Sequence, residues 1–142
     1  MRRAWLLAVV ALAGCGDAPE IVARDDTGGV VARAALPSDG TFALTYRHSV
    51  YRVPAEERFR ATASGFVLDS VASPDPAVID YYDLDGTRTR EHGLYVMRPD
   101  HPARFDRMAL AATRRGRRTL VVDGKRLPLF GQGVHLQLAV ER

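Results

Sequence analysis

Residues 41–63 read TFALTYRHSVYRVPAEERFRATA, and this stretch decides the fold class. Apolar and polar side chains alternate on both sides of a break that contains Pro54. Such alternation is typical of β-strands, whose successive side chains point to opposite faces of a sheet. The stretch therefore predicts two strands joined as a hairpin, each with one face turned toward a core.

Matching the apolar faces of the two strands predicts their register, because a slip of one residue would turn every side chain over. Val50 is then opposite Ala55, and residues 51–54 form the loop. The same register places His48 opposite Glu57. The hairpin is thus predicted to carry a polar pair at the rim of its apolar face.

The predicted pair of His48 and Glu57 is either a ligand contact or a structural pair that holds the register. A catalytic His–Ser dyad is not expected, since Ser49 would point away from His48 in a regular strand. Ser49, Tyr51 and Pro54 are the neighbouring candidates for a site at this end of the hairpin.

The rest of the chain repeats the alternating pattern in short pieces. Turn signals of the hairpin type occur at residues 26–29 and 123–124, which read DTGG and DG. Residues 77–82 fit either a short helix or an extended edge. We predict one all-β domain over residues 21–142, an antiparallel sandwich or small barrel of about nine short strands.

The N-terminal sequence MRRAWLLAVVALAGC has a basic start, a short apolar run and small residues before Cys15. The run is shorter than the roughly 20 residues of a membrane-spanning helix, so it predicts a secretory signal. Its Leu-Ala-Gly-Cys ending resembles the bacterial lipobox, which implies a lipid on Cys15; the alternative is a plain signal with a chance cysteine. We predict a signal peptide over residues 1–14, a lipidated tether over 15–20, and a membrane-anchored envelope protein on the extracytoplasmic side.

Charge and residue usage restrict the partners that we expect. Without residues 1–14 the chain has 18 basic and 17 acidic side chains, a net charge of +1, which does not indicate nucleic-acid binding. Cys15 is the only cysteine, so no internal disulfide is expected. The histidines lack metal-ligand spacing, and neither a metal nor a cofactor is predicted. The basic run RRGRR at 114–118 either contacts anionic lipid or, as we favour, is a solvated turn.

The run HSVYRVPAEERF, residues 48–59, resembles the signature of the domain of unknown function 1850 family. The matching residues are His48, Ser49, Val50, Pro54, Glu57 and Phe59. Many members are similar in gene setting to companions of TRAP-type transporters of the TAXI class, which take up organic acids. The resemblance implies an exported, non-enzymatic accessory or binding protein for such an importer. Residues 73–76 read SPDP, where members often carry a glycine-rich segment.

Two other functions stay open on the residues alone. The protein could be an envelope hydrolase that uses His48 with a carboxylate, or a purely structural envelope lipoprotein. Catalysis requires a nucleophile or a metal within reach of His48 in an accessible cleft. A structural protein needs no concave site at all.

Overall fold

The computed structural model describes residues 18–142. The predicted signal peptide and Cys15 lie outside these residues. Within the described part of the chain, no helix is long and apolar enough to cross a membrane. Twelve strands and one short helix form there, which confirms the all-β prediction.

The strands in chain order are β1 (Glu20–Asp25), β2 (Val30–Ala35), β3 (Thr41–Arg47), β4 (Pro54–Thr62), β5 (Gly65–Ser73), β6 (Gly86–Glu91), β7 (Leu94–Pro99), β8 (Arg104–Phe105), β9 (Arg107–Ala111), β10 (Thr119–Val122), β11 (Lys125–Pro128) and β12 (His135–Glu141). Helix α1 (Pro76–Tyr81) lies between β5 and β6 and packs against β5 and β7.

The strands form two antiparallel sheets. The smaller sheet has the order β2-β1-β12-β9, and the larger has the order β11-β10-β3-β4-β5-β7-β6. The short β8 pairs with the start of β5. The sheets do not close into a barrel, so the sandwich alternative is confirmed.

The core fills the space between the two sheets and is continuous. Ile21 and Leu138 of the smaller sheet belong to the same buried cluster as three phenylalanines of the larger sheet. Phe42 stacks on Phe59 with ring centroids 5.2 Å apart, and Phe66 meets Phe42 edge-on at 5.4 Å. Stacked and edge-to-face rings are the favoured aromatic arrangements, so this cluster fixes how β3, β4 and β5 align.

Both hairpin turns predicted from the sequence are present. The Asp25 carboxylate accepts hydrogen bonds from the backbone N–H groups of Thr27 (3.0 Å) and Gly29 (2.8 Å). Asp123 and Gly124 have φ values of 47° and 74° and connect β10 to β11. Positive φ at both central residues gives a turn whose twist matches the flanking strands.

Residues 77–82 adopt the helical alternative. Asp75 is the N-cap and accepts a hydrogen bond from Ala77 N at 2.9 Å, and Pro76 takes the first helical position. These are local signals for a helix start. The buried Ile79 joins α1 to the core.

The predicted register of the β3–β4 hairpin is wrong, although the predicted faces are right. Glu57 lies opposite Leu44, four residues before His48 along β3, and Phe42 lies opposite Phe59. The predicted and observed registers differ by an even number of residues, so every side chain stays on its predicted face of the sheet. The Phe42–Phe59 stack in the core accounts for the observed register, because shifting either strand would separate these rings.

The loop of this hairpin is longer than predicted. β3 ends at Arg47, and residues 48–53 replace the expected loop of 51–54. The N–H of His48 donates to Val53 O at 2.9 Å, and the N–H of Arg52 donates to His48 O at 3.0 Å. His48 is therefore the first residue of a closed loop and not a strand residue.

Candidate binding site

A cavity of about 580 Å³ lies at the end of the sandwich where β3 runs into the 48–53 loop and β9 ends. We call it the His48 cavity. The side chains that line it and carry polar groups include Tyr46, His48, Ser49, Glu57, Tyr82 and Arg118. They come from β3, its loop, β4, the residue that follows α1 and the turn before β10. Concave sites with a few convergent polar groups are typical of small-molecule binding.

The imidazole of His48 is held by its own loop. Its Nδ1 accepts hydrogen bonds from the N–H groups of Val50 and Tyr51, both at 3.3 Å. The ring stacks on Tyr51 at 5.2 Å and meets Tyr81 edge-on at 4.7 Å. His48 is only 4% exposed, so these contacts leave it one orientation.

This arrangement determines which nitrogen of His48 can serve a ligand. Because Nδ1 is an acceptor, the neutral imidazole carries its proton on Nε2. Within residues 18–142, Nε2 has no hydrogen-bond partner. It is also not among the fully buried side-chain atoms that lack a partner. His48 therefore presents an N–H donor that no other group occupies.

Glu57 is fixed by a network of hydroxyl and guanidinium groups. The Tyr82 hydroxyl donates to Glu57 Oε1 at 2.7 Å, and Arg118 Nη1 lies 3.6 Å from Oε2. Since the Tyr82 proton points to Glu57, the Tyr46 hydroxyl donates to Tyr82. The Arg118 guanidinium also lies over the Tyr46 ring at 4.7 Å. The side chains of Arg118 and Glu57 are 20% and 16% exposed, so the network is largely withdrawn from solvent.

Burial and the negative charge of Glu57 raise the pKa values of Tyr46 and Tyr82. Burial, followed by Glu57, raises the pKa of Tyr82 far above its usual range. The same two causes raise the pKa of Tyr46. Both hydroxyls therefore stay protonated at neutral pH and act as donors, and neither is a phenolate nucleophile.

The structure brings most of the predicted site residues together. His48 and Glu57 line the same cavity, but they do not face each other across the hairpin and no hydrogen bond joins them. Ser49 also lines the cavity, beside His48 in the loop, without a hydrogen bond to the imidazole. Tyr51 supports the His48 ring, whereas Pro54 lines a separate groove.

Three residues of this site were not predicted. Neither Tyr46 nor Tyr82 was predicted as a site residue. The interpretation of residues 114–118 as a solvated turn is wrong for Arg118, which points into the cavity. No local pattern reveals such partners, because they meet Glu57 from distant parts of the chain.

The described residues contain no group of three or more His, Cys, Asp or Glu side chains placed to hold a metal ion. The polar side chains of the His48 cavity instead include three tyrosines, one histidine, one serine and the half-buried Arg118–Glu57 pair. This composition provides hydrogen-bond donors and charge, and it fits recognition of a polar molecule.

The fold and the site together define a small all-β sandwich with a polar cavity at one end. The chain belongs to the family described as Domain of unknown function (DUF1850), whose sequence model matches residues 42–129. The matched segment contains His48, Glu57, Tyr82 and Arg118 and confirms the resemblance seen in the sequence. No curated protein and no solved structure was found to match the chain.

Proposed function

We propose that this protein is an exported, lipid-anchored and non-enzymatic accessory or binding protein of a TAXI-class TRAP solute importer. In this proposal the His48 cavity holds the ligand. The observation that carries it is the unpaired Nε2 donor of a buried, fixed histidine that lines the same cavity of about 580 Å³ as Arg118. The family resemblance supports the transporter context, and the Leu-Ala-Gly-Cys sequence supports the anchor.

The cavity favours a ligand rich in acceptor oxygens. His48 offers Nε2–H, Ser49 offers a hydroxyl, and Arg118 retains donors beyond its 3.6 Å contact with Glu57. Guanidinium and imidazole N–H groups form strong, charge-assisted hydrogen bonds with carboxylates. An organic acid is therefore the solute class that this donor set supports.

The same geometry argues against hydrolysis. A general base needs a free nitrogen lone pair, but Nδ1 of His48 already accepts two backbone hydrogen bonds and Nε2 carries the proton. No hydroxyl or carboxylate of the described residues forms a hydrogen bond with the His48 imidazole. Glu57 is engaged by Tyr82 and Arg118. The residues are arranged to bind and orient rather than to activate a nucleophile.

The transport role is tested in cells with His48→Gln, with a deletion strain, and with His101→Gln as a control in an exposed loop. We expect the deletion and His48→Gln to lower uptake of at least one radiolabelled organic acid from a panel. His101→Gln should transport like wild type. Uptake of the whole panel unchanged in the deletion strain would contradict the transporter role.

Binding is tested separately on the full-length proteins in a neutral detergent. A ligand from the same panel should raise the melting temperature of wild type and of His101→Gln, but not that of His48→Gln. Ester or amide hydrolysis that disappears in His48→Gln would instead establish the enzymatic alternative.

A further inference from the structure

A second groove, of about 540 Å³, lies on the outer face of the larger sheet, away from the core. Four arginines line it: Arg47 on β3, Arg52 in the 48–53 loop, Arg117 in the turn before β10, and Arg126 on β11. We call it the arginine groove. Thr45, Pro128 and Phe130 complete much of its wall, and no acidic side chain of residues 18–142 lines it.

The four positive charges are not compensated within the described part of the chain. None of these arginines takes part in an ion pair there. Glu56 is opposite Thr45 in the register, but it is bound to Arg58 at 2.6 Å. Like charges held in one groove repel each other and create a positive potential that attracts an anion.

Neutral contacts hold three of the guanidinium groups in position. Arg47 Nε donates to Arg52 O at 2.9 Å, and Arg126 Nη2 donates to Thr45 Oγ1 at 3.1 Å. The Arg117 guanidinium lies over the Phe130 ring at 5.5 Å. A ligand therefore meets side chains that are already partly ordered, which lowers the entropy cost of binding.

Two of the arginines occupy backbone positions that disfavour them. Arg52 has φ 60° and Arg117 has φ 50°, in the left-handed region where Gly or Asn is favoured. Turn geometry alone would select a smaller residue at both positions. The presence of arginine at both is explained if the charge itself is needed in the groove.

The groove also lies far from the N-terminal end of the described residues. Ala18 and Pro19, where the described chain begins, line a surface with Gly40 and Ala63, at the start of β3 and the end of β4. Arg47 is at the other end of β3, roughly 20 Å away at about 3.3 Å per residue. This placement favours a soluble anion over lipid headgroups.

We propose that the arginine groove binds a small soluble molecule with two or more negatively charged oxyanion groups, carboxylate or phosphate. Arginine forks match both kinds of group in a two-pronged geometry. The groove adjoins the His48 cavity, since Tyr46 and Arg47 line both. The inference is nevertheless separate from the ligand proposed there, because the donors proposed for that ligand are His48, Ser49 and Arg118.

The test is isothermal titration calorimetry at low ionic strength, with citrate and inorganic pyrophosphate as probes and full-length protein in a neutral detergent. The groove variant is Arg52→Asn with Arg117→Asn, which removes two charges and suits the left-handed backbone. The matched control is Arg114→Gln with Arg115→Gln, which removes two charges from the exposed neighbouring turn outside the groove.

At least one probe should bind wild type, and the groove variant should bind it about tenfold more weakly or worse, because it loses charge-assisted hydrogen bonds. Its melting temperature should not fall, since Asn tolerates positive φ. The control should change affinity by no more than about threefold, as screened surface charges do.

Three results would overturn the proposal. They are no binding of either probe, equal losses in both variants, and a thermal shift with phosphatidylglycerol-doped micelles but not with either probe. The last would assign the groove to lipid headgroups. A response to citrate alone or pyrophosphate alone identifies the oxyanion class. Because His48→Gln leaves the groove intact, failure here is distinct from failure of the His48 cavity.

Discussion

Tyr82 connects the chemistry of the His48 cavity to the stability of the fold. Its hydroxyl is buried and donates to the Glu57 carboxylate. Burial, followed by the negative charge of Glu57, raises its pKa above the ordinary tyrosine value. The unfolded chain has no such environment, so its tyrosines ionise near pH 10. The folded state then holds a proton that the unfolded state releases, and stability must depend on alkaline pH.

We predict that the free energy of unfolding falls as the pH rises above about 10. Tyr82 contributes at most about 1.4 kcal/mol per pH unit, which is reached when Tyr82 is ionised in the unfolded chain and still protonated in the folded one. The sign follows from the raised folded pKa: the contribution is complete below the unfolded pKa and is lost above it. Tyr82→Phe should reduce this alkaline slope. Urea unfolding followed by circular dichroism between pH 8 and 11 measures it.

Tyr81→Phe is the matched control, because Tyr81 is the neighbouring residue and is 60% exposed. It should retain the wild-type alkaline slope. Lys125 is the only lysine of the chain, so lysine titration adds little in this range. Equal slopes in wild type and Tyr82→Phe would contradict the buried environment of Tyr82.

At the residue scale, the sequence predicted one side of the site and not the other. His48 and Glu57 were identified because their strands alternate and place both on the apolar face. Tyr82 and Arg118 reach Glu57 from beyond α1 and from the turn before β10. Their positions depend on tertiary packing, and no spacing along the chain encodes it.

At the scale of elements, the β3–β4 hairpin shows how packing selects among registers of equal polarity. The predicted and observed registers both bury the apolar faces, so alternation cannot distinguish them. Only the observed register stacks Phe42 on Phe59 and lets His48 accept hydrogen bonds from its own loop. Both contacts require the six-residue loop 48–53.

The register can be checked by cross-linking. Thr45 lies directly opposite Glu56, so Thr45→Cys with Glu56→Cys places two thiols on one face at a distance that a disulfide can span. We expect this variant to form an intrachain disulfide under mild oxidation, measured by mass spectrometry after thiol alkylation. The unaltered chain has a single cysteine, Cys15, as background.

The control is Thr45→Cys with Arg60→Cys, the pair that the predicted register would place opposite each other. In the structure Arg60 is opposite Thr41, four residues from Thr45 along β3. This variant should stay reduced under the same conditions. Preferential cross-linking of the control would restore the shorter loop and exclude the observed register.

Helix α1 could be predicted from local sequence signals, whereas strand β6 could not. Asp75 and Pro76 are local start signals, and α1 forms where they allow it. Strand β6 was not predicted, because it lies at the sheet edge with nearly every residue exposed. An edge strand with no buried face has no apolar period to detect.

At the scale of the whole molecule, both sheets depend on one core. Leu138 on β12 is fully buried in the cluster that also contains Phe66 of the larger sheet. The smaller sheet has only four strands and buries its apolar face against the larger one. We therefore expect the described region to unfold as one cooperative unit.

Leu138→Ala should lower the free energy of unfolding by about 2–5 kcal/mol, because it leaves a cavity in the core. Gln137→Ala, at the exposed neighbouring position, should change it by no more than about 0.5 kcal/mol. Urea titrations followed by tyrosine fluorescence and by circular dichroism should give coincident transitions for each variant. Separate transitions by the two probes would mean that the sheets unfold independently.

The sequence by itself determined the all-β class, the faces of the strands, the turns at 26–29 and 123–124, and the family. These features follow from side-chain alternation, turn residues and a short motif, which act between near neighbours in the chain. The tertiary structure alone decided the hairpin register, the meeting of Glu57 with Tyr82 and Arg118, and the arginine groove. The physical reason is that these features join residues from separate strands, and core packing rather than local periodicity sets which strands lie side by side and at what offset.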